Sequence, residues 1–158
     1  MEALCCINQE TNSMNDNTVL VDTNILVHAY NTFDKTRHGK CKTIAEAGFK
    51  GESELAVSNQ ILAELFSVLT GKIKNPLPAE EAAEVICGIA DSANWIKLNY
   101  SHETVKRAII LSKTNNISIW DSIIAETAME NGITKIYTEN IKDFKKISGL
   151  KVINPIEE

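Results

Sequence analysis

Four acidic residues sit where an unpaired carboxylate is expensive. Asp22 closes the apolar run that begins at Thr18, and Glu64 lies among Ile61, Leu62, Leu65 and Phe66. Asp121 follows Trp120 and precedes a second apolar stretch, and Asp143 comes soon after Lys135-Ile-Tyr-Thr138. Glu64 is the sharpest case, because burying a lone carboxylate among apolar neighbours costs on the order of several kcal/mol. A divalent cation is a suitable partner. Mg²⁺ takes oxygen ligands, keeps several waters and binds through one or two carboxylates together with substrate phosphate. No His, Ser or Cys suited to nucleophilic work stands near these acids in the chain. Water activated by a bound metal is then the natural nucleophile.

Each acid also has a plainer reading. Asp22 has the chemistry of a helix N-cap. Glu64 can lie on the solvent-facing edge of its helix. Asp121 can be an N-terminal helix charge that meets the dipole, and Asp143 can be a turn residue. What argues for a shared site is their common location, and that depends on the elements that carry them.

Residues 18–22 form a short apolar, β-branched run that reads as a buried strand. A helix follows, with Ile25, Leu26 and Ala29 inward. Residues 40–49 predict a second helix, stopped near Gly51, and Leu55–Ser58 a second strand. Ser58 or Asn59 caps a helix carrying Ile61, Leu62, Leu65, Phe66 and Leu69. Asn75-Pro-Leu-Pro78 ends that segment, and Pro78 opens a helix with Ala82, Val85, Ile86 and Ile89 inside. Trp95–Leu98 is a third strand. A helix over 101–114 starts with a capping box of Ser101 and Thr104. A helix over 121–130 closes at Asn131-Gly132. Residues 135–138 and 151–153 supply the last two strands. Alternation of strands and helices throughout predicts one α/β domain, a parallel sheet between two helical layers. Active sites in such sheets gather beyond the carboxyl ends of the strands, where the strand order reverses. Asp22, Glu64, Asp121 and the group Glu139, Asn140 and Asp143 all map to that end.

The 158 residues suit one domain with a substantial core. The net charge of −5 argues against binding nucleic acid by bulk electrostatics, although a cation-binding acidic site itself adds negative charge. Two local basic clusters exist, one of Lys35, Arg37, His38, Lys40 and Lys42, the other of Lys142, Lys145 and Lys146. Each is either a solvated face or an RNA contact. Cys5, Cys6, Cys41 and Cys87 lack zinc-site spacing and read as reduced thiols, Cys87 in a helix core. No segment approaches the roughly 20 apolar residues of a membrane helix. Residues 1–17 are polar and rich in Asn. They read as a disordered leader with Met14 as an alternative start, and they carry no secretory signal, so the cytoplasm is the expected compartment.

Four ordered segments resemble the motifs of the PIN-domain family: Val21-Asp-Thr-Asn-Ile25, Ser58-Asn-Gln-Ile-Leu-Ala-Glu64, Trp120-Asp-Ser-Ile-Ile-Ala125 and Ile136-Tyr-Thr-Glu-Asn-Ile-Lys-Asp-Phe144. The tail Gly149-Leu-Lys-Val-Ile-Asn-Pro155 is similar as well, so the resemblance spans roughly residues 18–156. It implies a PIN-like three-layer α/β/α nuclease domain and a metal-dependent ribonuclease like the VapC toxins of toxin–antitoxin pairs. Asp22 and Asp121 would be ligands of Mg²⁺ or Mn²⁺, and Glu64 would complete the acidic pocket. Thr23 and Asn24 would position the first carboxylate or the scissile phosphate, and Thr138 would hydrogen-bond nearby. Many members carry Asp two residues after the motif threonine. Here Asn140 stands there, able to ligate through its carbonyl oxygen but without charge. Glu139 or Asp143 is left to supply the fourth carboxylate, and one or two metals stay open. The resemblance further implies a homodimer and an antitoxin partner. Three other readings stand beside it: a non-catalytic PIN-fold module that binds RNA or protein, a nuclease of ribosomal RNA processing, and a haloacid dehalogenase-like phosphohydrolase. The last needs a second Asp where this chain has Asn24.

Overall fold

The computed structural model describes residues 17–157. The expected leader lies almost wholly outside the described residues. Five strands are present among the described residues: β1 (Val19–Val21), β2 (Leu55–Ser58), β3 (Trp95–Leu98), β4 (Lys135–Tyr137) and β5 (Lys151–Ile153). All pair in parallel in the order β3-β2-β1-β4-β5. The chain begins in the centre, builds outward through β2 and β3, then crosses back to place β4 on the other side of β1. The reversal point is therefore the β1–β4 seam.

The helices are α1 (Thr23–Tyr30), α2 (Lys35–Lys50), α3 (Asn59–Gly71), α4 (Ala79–Asp91), α5 (His102–Asn115), α6 (Ile119–Glu130) and α7 (Ile141–Phe144). The group α1 to α4 packs together, as does the group α5 to α7, which gives the expected α/β/α layering. Central strands covered on both faces must be apolar throughout. Leu20, Val21, Ala56, Val57 and Ile136 are all fully buried. Each such Leu, Val or Ile contributes about 1.5–3 kcal/mol by leaving water. Gly48 lets α2 sit close on the sheet, since a Cβ there would lie 2.8 Å from Leu55 Cδ1 and 2.9 Å from Trp95 Cζ2.

Several local expectations hold in detail. Ser58 caps α3 through the Ile61 N–H, Ser101 and Thr104 form a reciprocal capping box, and Gly51 ends α2 at φ +72°. Others need correction. The second helix starts at Lys35, capped by Asp34, which accepts the N–H groups of Thr36 and Arg37. The last long helix starts at Ile119 under a Ser118 cap, so Asp121 lies in its first turn and does not open it. The short α7 was not expected. Cys87 is exposed, because it falls on the outer face of α4, whereas Cys41 is buried in α2.

Candidate active site

The sheet register builds the site. Val21 pairs with Tyr137, and the Asp22 N–H donates to the Tyr137 carbonyl at 2.9 Å. The next residue on each strand, Asp22 and Thr138, therefore emerges at the seam beside the other. Asp22 is 5% exposed and caps α1. Its Oδ1 accepts the Thr23 N–H at 2.7 Å, while Oδ2 accepts the Thr138 hydroxyl at 2.6 Å and the Asn24 amide at 2.8 Å. Thr138 Oγ1 also accepts the Asn140 N–H at 2.9 Å, and Asn24 Oδ1 accepts the Glu139 N–H at 3.1 Å. Even so, burial pushes the Asp22 carboxyl up to about 6 from 3.8. The hydrogen bonds from Thr138 and Thr23 pull it back, and the charges of Asp121 and Glu64 push it further up.

Glu64 enters from α3, half-buried. Its Oε2 accepts the Thr23 hydroxyl at 3.1 Å and its Oε1 accepts Gln60 Nε2 at 2.8 Å. Asp121 enters from the first turn of α6, where its N–H donates to Ser118 Oγ at 3.0 Å. Asn140 Nδ2 donates to Asp121 Oδ2 at 3.1 Å. Burial raises the Asp121 pKa, and the Asp143 and Glu64 charges add to that, against hydrogen bonds from Ser118 and Asn140. Asp22, Glu64 and Asp121 line one cleft of about 340 Å³ with Thr23, Asn24, His28 and Asn140. None of these three carboxylates takes part in an ion pair among the described residues.

The remaining predicted positions are placed differently. Glu139 binds His28 Nε2 at 2.7 Å and Arg37, so its charge is already compensated. Asp143 lies outside the lining of the cleft and pairs with Lys146 at 2.9 Å, and that hydrogen bond holds its carboxyl below the usual range. Both basic clusters are partly tied up within the chain: Arg37 holds Asp34 and Glu139, Lys40 donates to the Ile156 carbonyl at 2.6 Å, and Lys146 holds Asp143. His28 corrects the view of a site without histidine, since it lines the cleft. Gln60 also joins the site unforeseen, and it donates to the Trp120 carbonyl at 3.2 Å as well as to Glu64. Helical spacing carried the signal for both, with His28 four residues after Asn24 and Gln60 four before Glu64.

The donor set suits a hard divalent cation. Its carboxylates and amide carbonyls are oxygen donors, and its negative charge is uncompensated and costly in a buried setting. The carboxylates are not drawn into a closed cage. Among the described residues no three His, Cys, Asp or Glu side chains stand at ligating spacing. A few-ligand site completed by water and phosphate is the kind Mg²⁺ accepts.

The PIN-domain family matches residues 19–150, most of the chain. The chain belongs to the PIN-domain family. Solved structures share this PIN fold. The VapC20 toxin of Mycobacterium tuberculosis, described as cleaving the sarcin-ricin loop, is 19% identical with a TM-score of 0.65, covering 80% of this chain and 92% of that one. A toxin–antitoxin complex from Klebsiella pneumoniae is 23% identical with a TM-score of 0.59, covering 87% and 97%. VapBC2 of Rickettsia felis, solved on a DNA fragment from its promoter, is 22% identical with a TM-score of 0.59, covering 87% and 98%. No curated protein matches in sequence. No described helix is long and apolar enough to cross a membrane.

Proposed function

We propose that this PIN domain is a divalent-metal-dependent ribonuclease and the toxin of a toxin–antitoxin pair. The observation that carries the reading is the meeting of Asp22, Glu64 and Asp121, from three separate elements, around one cleft, none of them in an ion pair among the described residues. Asp22 and Asp121 are the ligands for Mg²⁺ or Mn²⁺, and Glu64 completes the acidic pocket. Such an ion, when bound, lowers the pKa of a coordinated water and neutralises charge on phosphate. Thr138, Asn24 and the Thr23 N–H fix the Asp22 carboxylate at the seam and keep it from turning away. Thr23 and Gln60 fix Glu64 in the same way. Asn140 orients Asp121 with its amide, so in this arrangement it serves as a positioning residue without charge. Asn24 stands where a haloacid dehalogenase-like phosphohydrolase needs a second Asp, and its amide donates to Asp22 Oδ2.

The toxin role and the antitoxin partner draw support from the toxin–antitoxin structures that share the fold, and the homodimer is proposed on the family resemblance alone. The test is cleavage of a mixed single-stranded RNA pool with Mn²⁺, with Mg²⁺ and with chelator, beside Asp22→Asn. Cutting that needs both metal and Asp22, and leaves 5′-phosphate and 3′-hydroxyl ends, supports the proposal. Metal-independent cutting that leaves cyclic phosphate overturns it.

A further inference from the structure

Beside the carboxylate cleft lies a second, larger groove between α3 and α6. It measures about 660 Å³ and is lined by Asn59, Gln60, Ser67, Lys72, Tyr100 and Trp120, among others. The two cavities adjoin, because Glu64 and Val68 line both. The volume lies within the range of about 300–1,000 Å³ that ligand sites occupy. Trp120 is 60% exposed, an uncommon placement for the largest side chain and one residue from Asp121. Its backbone is anchored: the Trp120 carbonyl accepts Gln60 Nε2, the same amide group that holds Glu64. One side chain thus ties the indole's backbone to the acidic site. Lys72 caps the C-terminus of α3 and makes no ion pair among the described residues, in contrast to the Arg37 and Lys146 side chains.

An aromatic face, a lysine with no ion pair among the described residues and amide side chains, in a groove beside the acidic cleft, are the parts of a single-strand nucleic-acid subsite. Bases stack on exposed aromatic rings whatever their sequence, and a cation takes the adjoining phosphate. We propose that this groove binds single-stranded RNA, one unpaired base stacking on Trp120 and the neighbouring phosphate meeting Lys72, so that the strand runs on into the cleft of Asp22 and Asp121. The inference rests on the ribonuclease reading and deepens it. It selects unpaired RNA, because a base within a duplex has no free face to offer the indole.

The indole supplies its own probe. The other tryptophan, Trp95, is 1% exposed in the core, so quenching by a nucleobase reports on Trp120 alone. The experiment titrates the full chain with a short single-stranded oligouridylate in chelator, where a metal-dependent reaction is silent, and repeats the titration with the same strand in a duplex. The expected result is saturable quenching by the single strand and none by the duplex. Trp120→Ala should weaken single-strand binding roughly 10- to 100-fold, as read by anisotropy of a labelled strand. Trp120→Phe should keep most of the binding while losing the quench. Lys72→Gln should flatten the logarithmic salt dependence by about 0.7, the share of one phosphate on a single strand. Thermal unfolding checks that the variants are folded, which the exposure of both side chains favours. Absence of quenching, equal quenching by duplex, or unchanged affinity in Trp120→Ala overturns the subsite. So does a Trp120→Ala variant that binds RNA normally but loses a protein partner. The two proposals fail separately: RNA that binds and quenches but is never cut with metal defeats the nuclease, whereas metal-dependent cutting at full rate in Trp120→Ala defeats the subsite.

Discussion

The Thr138 hydroxyl donates to Asp22 Oδ2 at 2.6 Å across the β1–β4 seam, joining residues 116 apart in the chain. This bond favours the charged carboxylate in a place where burial opposes it. Thr138→Val removes the donor and also leaves the Asn140 N–H and the Asn24 amide without this acceptor. A charge-assisted hydrogen bond contributes about 1.5–3 kcal/mol, so RNA cleavage should fall roughly 10- to 100-fold. The acidic limb of the pH–rate profile should also move to higher pH, because the lost bond was lowering the Asp22 pKa. Thr138→Ser, which keeps the hydroxyl, should restore both. A Val variant with an unmoved limb would show that Thr138 acts elsewhere.

The raised Asp22 pKa has a consequence for stability. A carboxyl at about 6 in the folded chain and 3.8 in the unfolded one binds its proton more tightly when folded. Stability from this group is therefore lost as pH rises from about 4 through 6, and the charged form costs about 3 kcal/mol above that window. Asp22→Asn removes the titration. The stability of the original chain relative to this variant should improve by about that amount between pH 7.5 and pH 4, measured by paired urea unfolding in chelator. A difference that stays constant over the range would mean that burial does not govern Asp22.

A cation in the cleft would relieve the same cost. Mg²⁺ or Mn²⁺ at about a hundred times its dissociation constant should stabilise the fold by about 2.7 kcal/mol. For a chain of this length that raises Tm by about 5–10 °C. The gain should shrink in Asp121→Asn and disappear with chelator. An equal gain in the original chain and in Asp22→Asn and Asp121→Asn variants would place the ion away from the proposed site.

Much of this site was legible in the sequence, for a definite reason. A parallel strand buried on both faces is an unbroken apolar run, so a polar residue at its end, such as Asp22, announces both the strand end and the site. Capping chemistry was equally local, as Ser58, Ser101 and Gly51 show. What the sequence obscured depended on side-chain direction. Ser118 caps α6 three residues before Asp121, but Ile119 and Trp120 disguised the helix start. Glu139 and Asp143 follow one strand and looked equivalent. Only folding shows that Glu139 turns to His28 and Arg37 and Asp143 to Lys146. The long-range pairs of Glu139 leave no periodic trace, whereas Asp143 and Lys146 are an i,i+3 pair.

That divergence makes the fourth acid testable. Asp143 is paired outside the cleft lining, whereas Asp121 lies within it. Asp121→Asn should abolish metal-dependent cleavage, and Asp143→Asn should leave it within a few-fold. Asn140→Asp restores a carboxylate where family members often carry one and adds repulsion against Asp121. It should tighten Mn²⁺ binding, seen by calorimetry, and lower stability in chelator. Loss of activity in Asp143→Asn equal to that in Asp121→Asn would move the fourth ligand to α7.

Two glycines offer a control on the packing of the frame itself. Both lie inside helices, where Ala is intrinsically favoured over Gly by about 1 kcal/mol. At Gly88 in α4 no atom lies within 4 Å of a new Cβ, so Gly88→Ala should gain part of that, about 0.5–1 kcal/mol. At Gly48 the new methyl meets Leu55 and the rigid Trp95 ring at under 3 Å, and overpacking of this kind costs about 1–3 kcal/mol. Gly48→Ala should therefore lower stability in spite of its helical propensity. The same substitution should move Tm in opposite directions at the two sites. A stabilised Gly48→Ala would mean that α2 can lift off the sheet, and with it Arg37 from its contact with Glu139 at the edge of the site.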